Sequence, residues 1–91
     1  MEGAVRAVVR IANKKGLHAR ASAKIVEAAA RFQSRITVSK DGQNVDARSI
    51  MGLMMLAASE GSEIAVDVEG PDAEAALTAI VALANARFGE E

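Results

Sequence analysis

The chain contains no cysteine, tyrosine or tryptophan, two phenylalanines, and a single proline and a single histidine among 91 residues. Without cysteine there are no disulfides and no thiolate metal sites, which suits a reducing cytoplasm. With two aromatic side chains there is almost nothing for bases to stack on, so nucleic acid is not an expected partner. No apolar run approaches the roughly 20 residues that cross a bilayer, and Met1-Glu2-Gly3 does not read as a signal peptide. A cytoplasmic location with no membrane partner is the expectation. One histidine with no nearby carboxylate in sequence cannot supply the three or four ligands zinc takes, so no metal or other cofactor is expected.

The chain is 51% hydrophobic with a net charge of −1, enough for one core and too short for two, so residues 1–91 should form a single domain. The charge is unevenly spread. Arg10, Lys14, Lys15, Arg20 and Lys24 fall in a stretch without acids, whereas from Ala58 onward eight acids face Arg87 alone. That basic stretch surrounds the only histidine and should attract anions or acidic partner surfaces.

Hydrophobic spacing gives the element order. Val5, Ala7, Val9 and Ile11 alternate with other residues as in a half-buried strand, broken at Asn13 to Gly16. From Ala19 the period becomes helical, with Ala21, Ile25, Ala28, Ala29 and Phe32 on one stripe and Arg20, Lys24, Glu27 and Arg31 on the other. Ile36 and Val38 alternate again, Asp41-Gly42 suits a tight hairpin turn, and a short polar edge strand follows around Asn44 to Ala47. Ser49 should cap a short helix, apolar nearly all round, ending near Gly61. Ile64, Val66 and Val68 form a fourth strand. Gly70-Pro71-Asp72 then opens a last helix with Ala73, Leu77, Ile80, Ala84 and Phe88 buried and Gly89 closing it. The order βαββαβα predicts an α+β fold, a two-layer open-faced sandwich with a four-stranded antiparallel sheet and three helices on one face. Arg6, Thr37 and Asp67 should lie on the open face.

His18 sits where strand gives way to helix, in Lys15-Gly16-Leu17-His18-Ala19-Arg20. Two readings stand: a solvated cap, or a nucleophile that carries a phosphoryl group. A serine hydrolase built on Ser22 lacks a nucleophile-elbow pattern. As a phosphoryl acceptor, His18 would place the phosphate oxygens against the free backbone N–H groups of Ala19 and Arg20 and the Arg20 guanidinium.

Gly16-Leu17-His18-Ala19-Arg20, followed about 30 residues on by Ser49-Ile50-Met51-Gly52-Leu53-Met54, resembles the histidine-containing phosphocarrier (HPr) family of the bacterial phosphotransferase system. The resemblance runs across nearly the whole chain, element order included. It implies a stoichiometric carrier rather than an enzyme. His18 would accept a phosphoryl group on Nδ1 from phospho-enzyme I and pass it to a IIA-type domain, with Arg20 as the phosphate partner. It also implies regulation at Ser49 by a serine kinase/phosphorylase where one exists. Two positions depart from the family pattern: Ala21 stands where proline is usual, and Lys15 where a small polar residue is common.

Ser49 read without the resemblance is a helix cap, and Met51, Met54 and Met55 are core filling. A helix apolar on all sides must nevertheless expose part of itself, and Ile50 and Met51 with Lys15 and Lys24 form the expected docking surface of a monomer. The alternative from another class is a ferredoxin-like ligand-sensing regulatory module, which has the same element order at the level of pattern.

Overall fold

A computed structural model of the chain describes residues 3–90. Four strands, β1 (Gly3–Arg10), β2 (Arg35–Lys40), β3 (Gln43–Asp46) and β4 (Glu63–Gly70), alternate with helices α1 (Ala19–Ala29), α2 (Ile50–Met55) and α3 (Ala73–Asn85). The sheet is antiparallel throughout in the order β1-β4-β2-β3, with the short polar β3 at one edge as its composition suggested. Strand residues whose side chains point one way, including Val9, Ile36, Val38, Ile64, Val66 and Val68, meet Ile25, Leu53, Ile80 and Phe88 in one core between sheet and helices. On the open face Arg6 pairs with Asp67 at 3.1 Å, beside Thr37, as the alternation required.

Local chemistry explains most of the boundaries. Asp41 and Gly42 both adopt positive φ (51° and 83°), the geometry a two-residue hairpin with right-handed strand twist demands. The carbonyls at the end of α1 have no basic residue in the helix's own last turn. A single Arg48 nitrogen instead donates to Ala29 O (2.9 Å), Phe32 O (2.6 Å) and Ser34 O (3.2 Å), so the cation that closes the helix comes from the β3–α2 connection.

Three boundaries differ from the expectation. Helix α2 stops at Met55 rather than near Gly61, because Ala57 turns left-handed (φ 53°). That turn delivers the Ala58 carbonyl to Leu17 N–H at 2.9 Å, and Gly61 N–H to Ile11 O at 2.8 Å. Phe32 lies past the end of α1, half-buried against the core. Helix α3 ends at Asn85, with Ala76 rather than Leu77 fully buried. Phe88 is buried as expected, but from a separate 3-10 turn, Arg87–Gly89, in which three successive residues take positive φ.

Asp72 stands at the N-cap position of α3 without capping it. Its carboxylate accepts instead from Ser34 Oγ (2.5 Å), Ser34 N–H and Gln33 N–H (2.9 Å each), tying the start of α3 to the start of β2. The Ser34 hydroxyl first, then the Gln33 amide, hold the Asp72 carboxyl below the ordinary aspartate value. A depressed folded value means stabilisation that is present above the unfolded value and lost as pH falls through the folded one. Wild-type protein should therefore lose melting temperature on acidification below the ordinary aspartate range. Asp72→Asn should start lower at neutral pH and show a shallower fall, as measured by thermal melts across an acid pH series.

Candidate functional site

The only histidine is the N-cap of α1. Its backbone is extended (φ −75°, ψ −178°), its carbonyl accepts from Ser22 N–H at 2.9 Å, and its Nδ1 accepts from Arg20 N–H at 3.3 Å. The ring is thus turned so that Nδ1 faces the opening turn of the helix, where the backbone N–H groups of Ala19 and Arg20 lack intrahelical acceptors and the helix dipole favours negative charge. Gly16 makes this placement possible. At φ +64° it lets the chain pass so close to the α2–β4 connection that an added Cβ would meet Ala58 O at 2.2 Å.

The other ring nitrogen, Nε2, lies 2.5 Å from Oε2 of Glu90, 72 residues further along the chain. Oε1 of the same carboxylate accepts from Asn13 Nδ2 at 3.0 Å, and Asn13 Nδ2 also donates to Gly16 O at 2.9 Å. Asn13 is wholly buried, whereas His18 and Glu90 keep side-chain exposures of 27% and 16%. The Asn13 amide first, then His18, hold the Glu90 carboxyl below the ordinary glutamate value. Glu90 and Asn13 were not legible in the sequence as site residues. Asn13 read as part of a strand break, and nothing in the spacing of Glu90 ties it to position 18.

Lys14, Lys15, His18, Arg20, Gly89 and Glu90 line one open concavity. Lys14, Lys15 and Arg20 are exposed, and the Arg20 guanidinium takes part in none of the ion pairs among the described residues. The concavity is therefore a partly positive cup with an imidazole at its wall. Lys24 stands apart from it: its Nζ donates to Phe88 O, pinning the turn that carries Glu90. Ala21 is fully buried and continues the helix.

Ser49 caps α2, its Oγ accepting from Gly52 N–H at 3.0 Å. Leu53 and Leu56 face the core, while Ile50, Met51, Met54 and Met55 are exposed, the two outermost methionines at 70% and 71%. The patch is thus broader than Ile50 and Met51 alone, and α2 packs beside α1, the helix that carries His18. None of these residues lines the concavity around His18.

Residues 5–86 match the family described as "PTS HPr component phosphorylation site". The chain is 52% identical over 80 residues to the phosphocarrier protein HPr of Cupriavidus necator, covering 88% of this chain and 90% of that protein. It is likewise 52% identical over 83 residues to HPr of Treponema pallidum, covering 91% and 94%. The crystal structure of HPr-C-His from Thermoanaerobacter tengcongensis superposes with a TM-score of 0.92 at 45% identity, covering 96% of this chain and 98% of that one. With the open sheet of order β1-β4-β2-β3 under three helices, these likenesses place the chain in the HPr phosphocarrier family of the phosphotransferase system.

Proposed function

We propose that this protein is a stoichiometric phosphoryl carrier that accepts a phosphoryl group on His18 Nδ1 from phospho-enzyme I and passes it to a IIA-type domain, acting as a monomer in the cytoplasm. The observation that carries this is the direction of Nδ1. The sole histidine aims that nitrogen at the amides that open a helix, inside a cup lined by Lys14, Lys15 and Arg20. When phosphorus bonds to Nδ1, the Arg20 N–H that now holds the ring is freed for a phosphoryl oxygen, and the unpaired guanidinium can fold onto the new dianion. Intact-mass measurement after incubation with enzyme I and phosphoenolpyruvate tests the reading. A gain of one acid-labile phosphate supports it, and no gain overturns it. The same relay chemistry serves sugar uptake and a nitrogen-linked regulatory branch equally. A ferredoxin-like ligand-sensing module has no counterpart in the likenesses above.

Arg20→Ala should slow transfer to and from His18 while leaving the melting temperature within about 3 °C, since an exposed side chain away from special contacts moves stability by at most about 0.5 kcal/mol. Stopped transfer assays in both directions check it, and equal rates would leave Arg20 as a surface charge.

Ser49 is proposed as a regulatory phosphorylation site beside the docking patch of Ile50 and Met51, open to a serine kinase/phosphorylase. A carboxylate at an N-cap is as good a cap as a hydroxyl and favours the helix dipole. Ser49→Asp should therefore keep the melting temperature. The charge next to exposed Ile50 and Met51 would have to be desolvated when a partner covers the patch, so KM for enzyme I should rise. Unchanged kinetics with a lowered melting temperature would make Ser49 a cap alone.

A further inference from the structure

Glu90 reaches His18 from the far end of the sequence, and the way it is held determines what it can do there. Asn13 Nδ2 donates to Gly16 O and to Glu90 Oε1, so the buried amide is fixed with its NH2 group toward the carboxylate. An amide NH2 only donates. With Oε1 already accepting, Oε2 is left as a bare acceptor facing Nε2 of the imidazole. At the opposite edge of the ring, Nδ1 accepts from Arg20 N–H and so must present a lone pair. Both edges point to one tautomer, with the proton on Nε2.

We propose that Glu90, oriented by Asn13, is a positioning residue that keeps the His18 proton on Nε2 and so offers the Nδ1 lone pair as the phosphoryl acceptor throughout the transfer cycle. This rests on the phosphocarrier reading above. On acceptance, the Nδ1 lone pair forms the N–P bond while the P–N bond to the donor's histidine breaks and its electron pair returns to the donor ring. No proton leaves His18. The imidazole takes on positive charge shared with Nε2–H, and the Glu90 carboxylate faces that charge, as a carboxylate does behind a catalytic imidazole. On donation, the P–Nδ1 bond breaks, its pair returns to Nδ1, and the ring departs as a neutral imidazole because Nε2 has kept its proton. Had that proton been lost, the leaving group would be an imidazolide anion, which departs far less readily. The contact therefore serves both directions, as a carrier requires.

The turn that brings Glu90 to His18 is built for the purpose of holding a sharp reversal. Arg87, Phe88 and Gly89 take φ of 56°, 54° and 76° in succession. Left-handed conformation at non-glycine residues is unfavourable, and burial of the Phe88 ring together with the Lys24 Nζ bond to Phe88 O holds it in place.

The discriminating variant is Glu90→Gln. Its side-chain oxygen would be taken by the Asn13 amide, turning the new NH2 toward Nε2 and favouring the lone pair there and the proton on Nδ1. Long-range 1H–15N spectra of the unphosphorylated protein at about pH 8.5 read the tautomer with no phosphoryl donor present. Wild type is expected to carry the proton on Nε2, and Glu90→Gln to show a raised Nδ1–H population with transfer slowed about 10-fold or more in both directions. A wild-type ring protonated on Nδ1, nitrogen shifts identical in the two proteins, or unchanged transfer rates would each overturn the proposal. A wild-type chain that takes up no phosphoryl group from enzyme I overturns the carrier reading instead, whatever the nitrogen shifts show.

Discussion

His18→Ala should fold like wild type and accept no phosphoryl group at all. The residue caps α1 through a single long bond from Arg20 N–H and is part-exposed, so its loss costs the helix about 1 kcal/mol and the core nothing. Its chemistry has no substitute, because no other imidazole and no thiol exists in the chain. Serine hydroxyls form acid-stable esters, so intact mass before and after brief acid treatment separates them from a phosphoramidate. One acid-labile phosphate on the His18→Ala protein would remove the basis of the proposed function.

Gly16→Ala should be strongly destabilising. The position has φ +64°, where an L side chain costs about 1–2 kcal/mol. The new Cβ would also sit 2.2 Å from the Ala58 carbonyl oxygen and 2.9 Å from Ser59 Cα, both backbone atoms that cannot rotate away. Relieving that overlap means parting the 13–17 loop from the α2–β4 connection and weakening the Leu17 N–H bond to Ala58 O. A loss of about 3 kcal/mol follows, which for a domain this small corresponds to a fall in melting temperature of roughly 15 °C. Because Asn13 and His18 flank the same loop, the variant should also transfer slowly at temperatures where it is still folded. A melting temperature within a few degrees of wild type would show that the loop has room the structure does not reveal.

The two predictions separate chemistry from architecture at neighbouring positions, and the Glu90→Gln variant connects them. In the proposed relay, His18 supplies the reacting atom. Gly16 allows the loop to approach its neighbour, and Glu90 with Asn13 is the pair proposed to set which ring nitrogen is free. The Arg20 guanidinium takes part in none of the ion pairs among the described residues, which in the proposed relay leaves it available for charge that arrives with the phosphoryl group.

What the sequence determined by itself is what depends on near neighbours. The period-two runs around Val9, Val38 and Val66, the Asp41-Gly42 turn, the Ser49 cap and the helical stripe from Ala21 to Ala29 each follow from contacts within a few residues, and each is where the spacing put it. The position of His18 at a helix start is of the same kind, since strand period, glycine break and helix period meet there. Tertiary structure decided whatever pairs residues far apart in the chain. Helix α2 ends early because Ala58 must reach Leu17, and Asp72 leaves its own helix uncapped to bind Ser34. Arg48 closes a helix that ended 19 residues before it. Glu90 joins His18 across 72 residues only because Phe88 finds the core and reverses the chain behind it. Such pairings arise from packing and from the need of buried polar groups for partners, and neither leaves a periodic trace in the sequence.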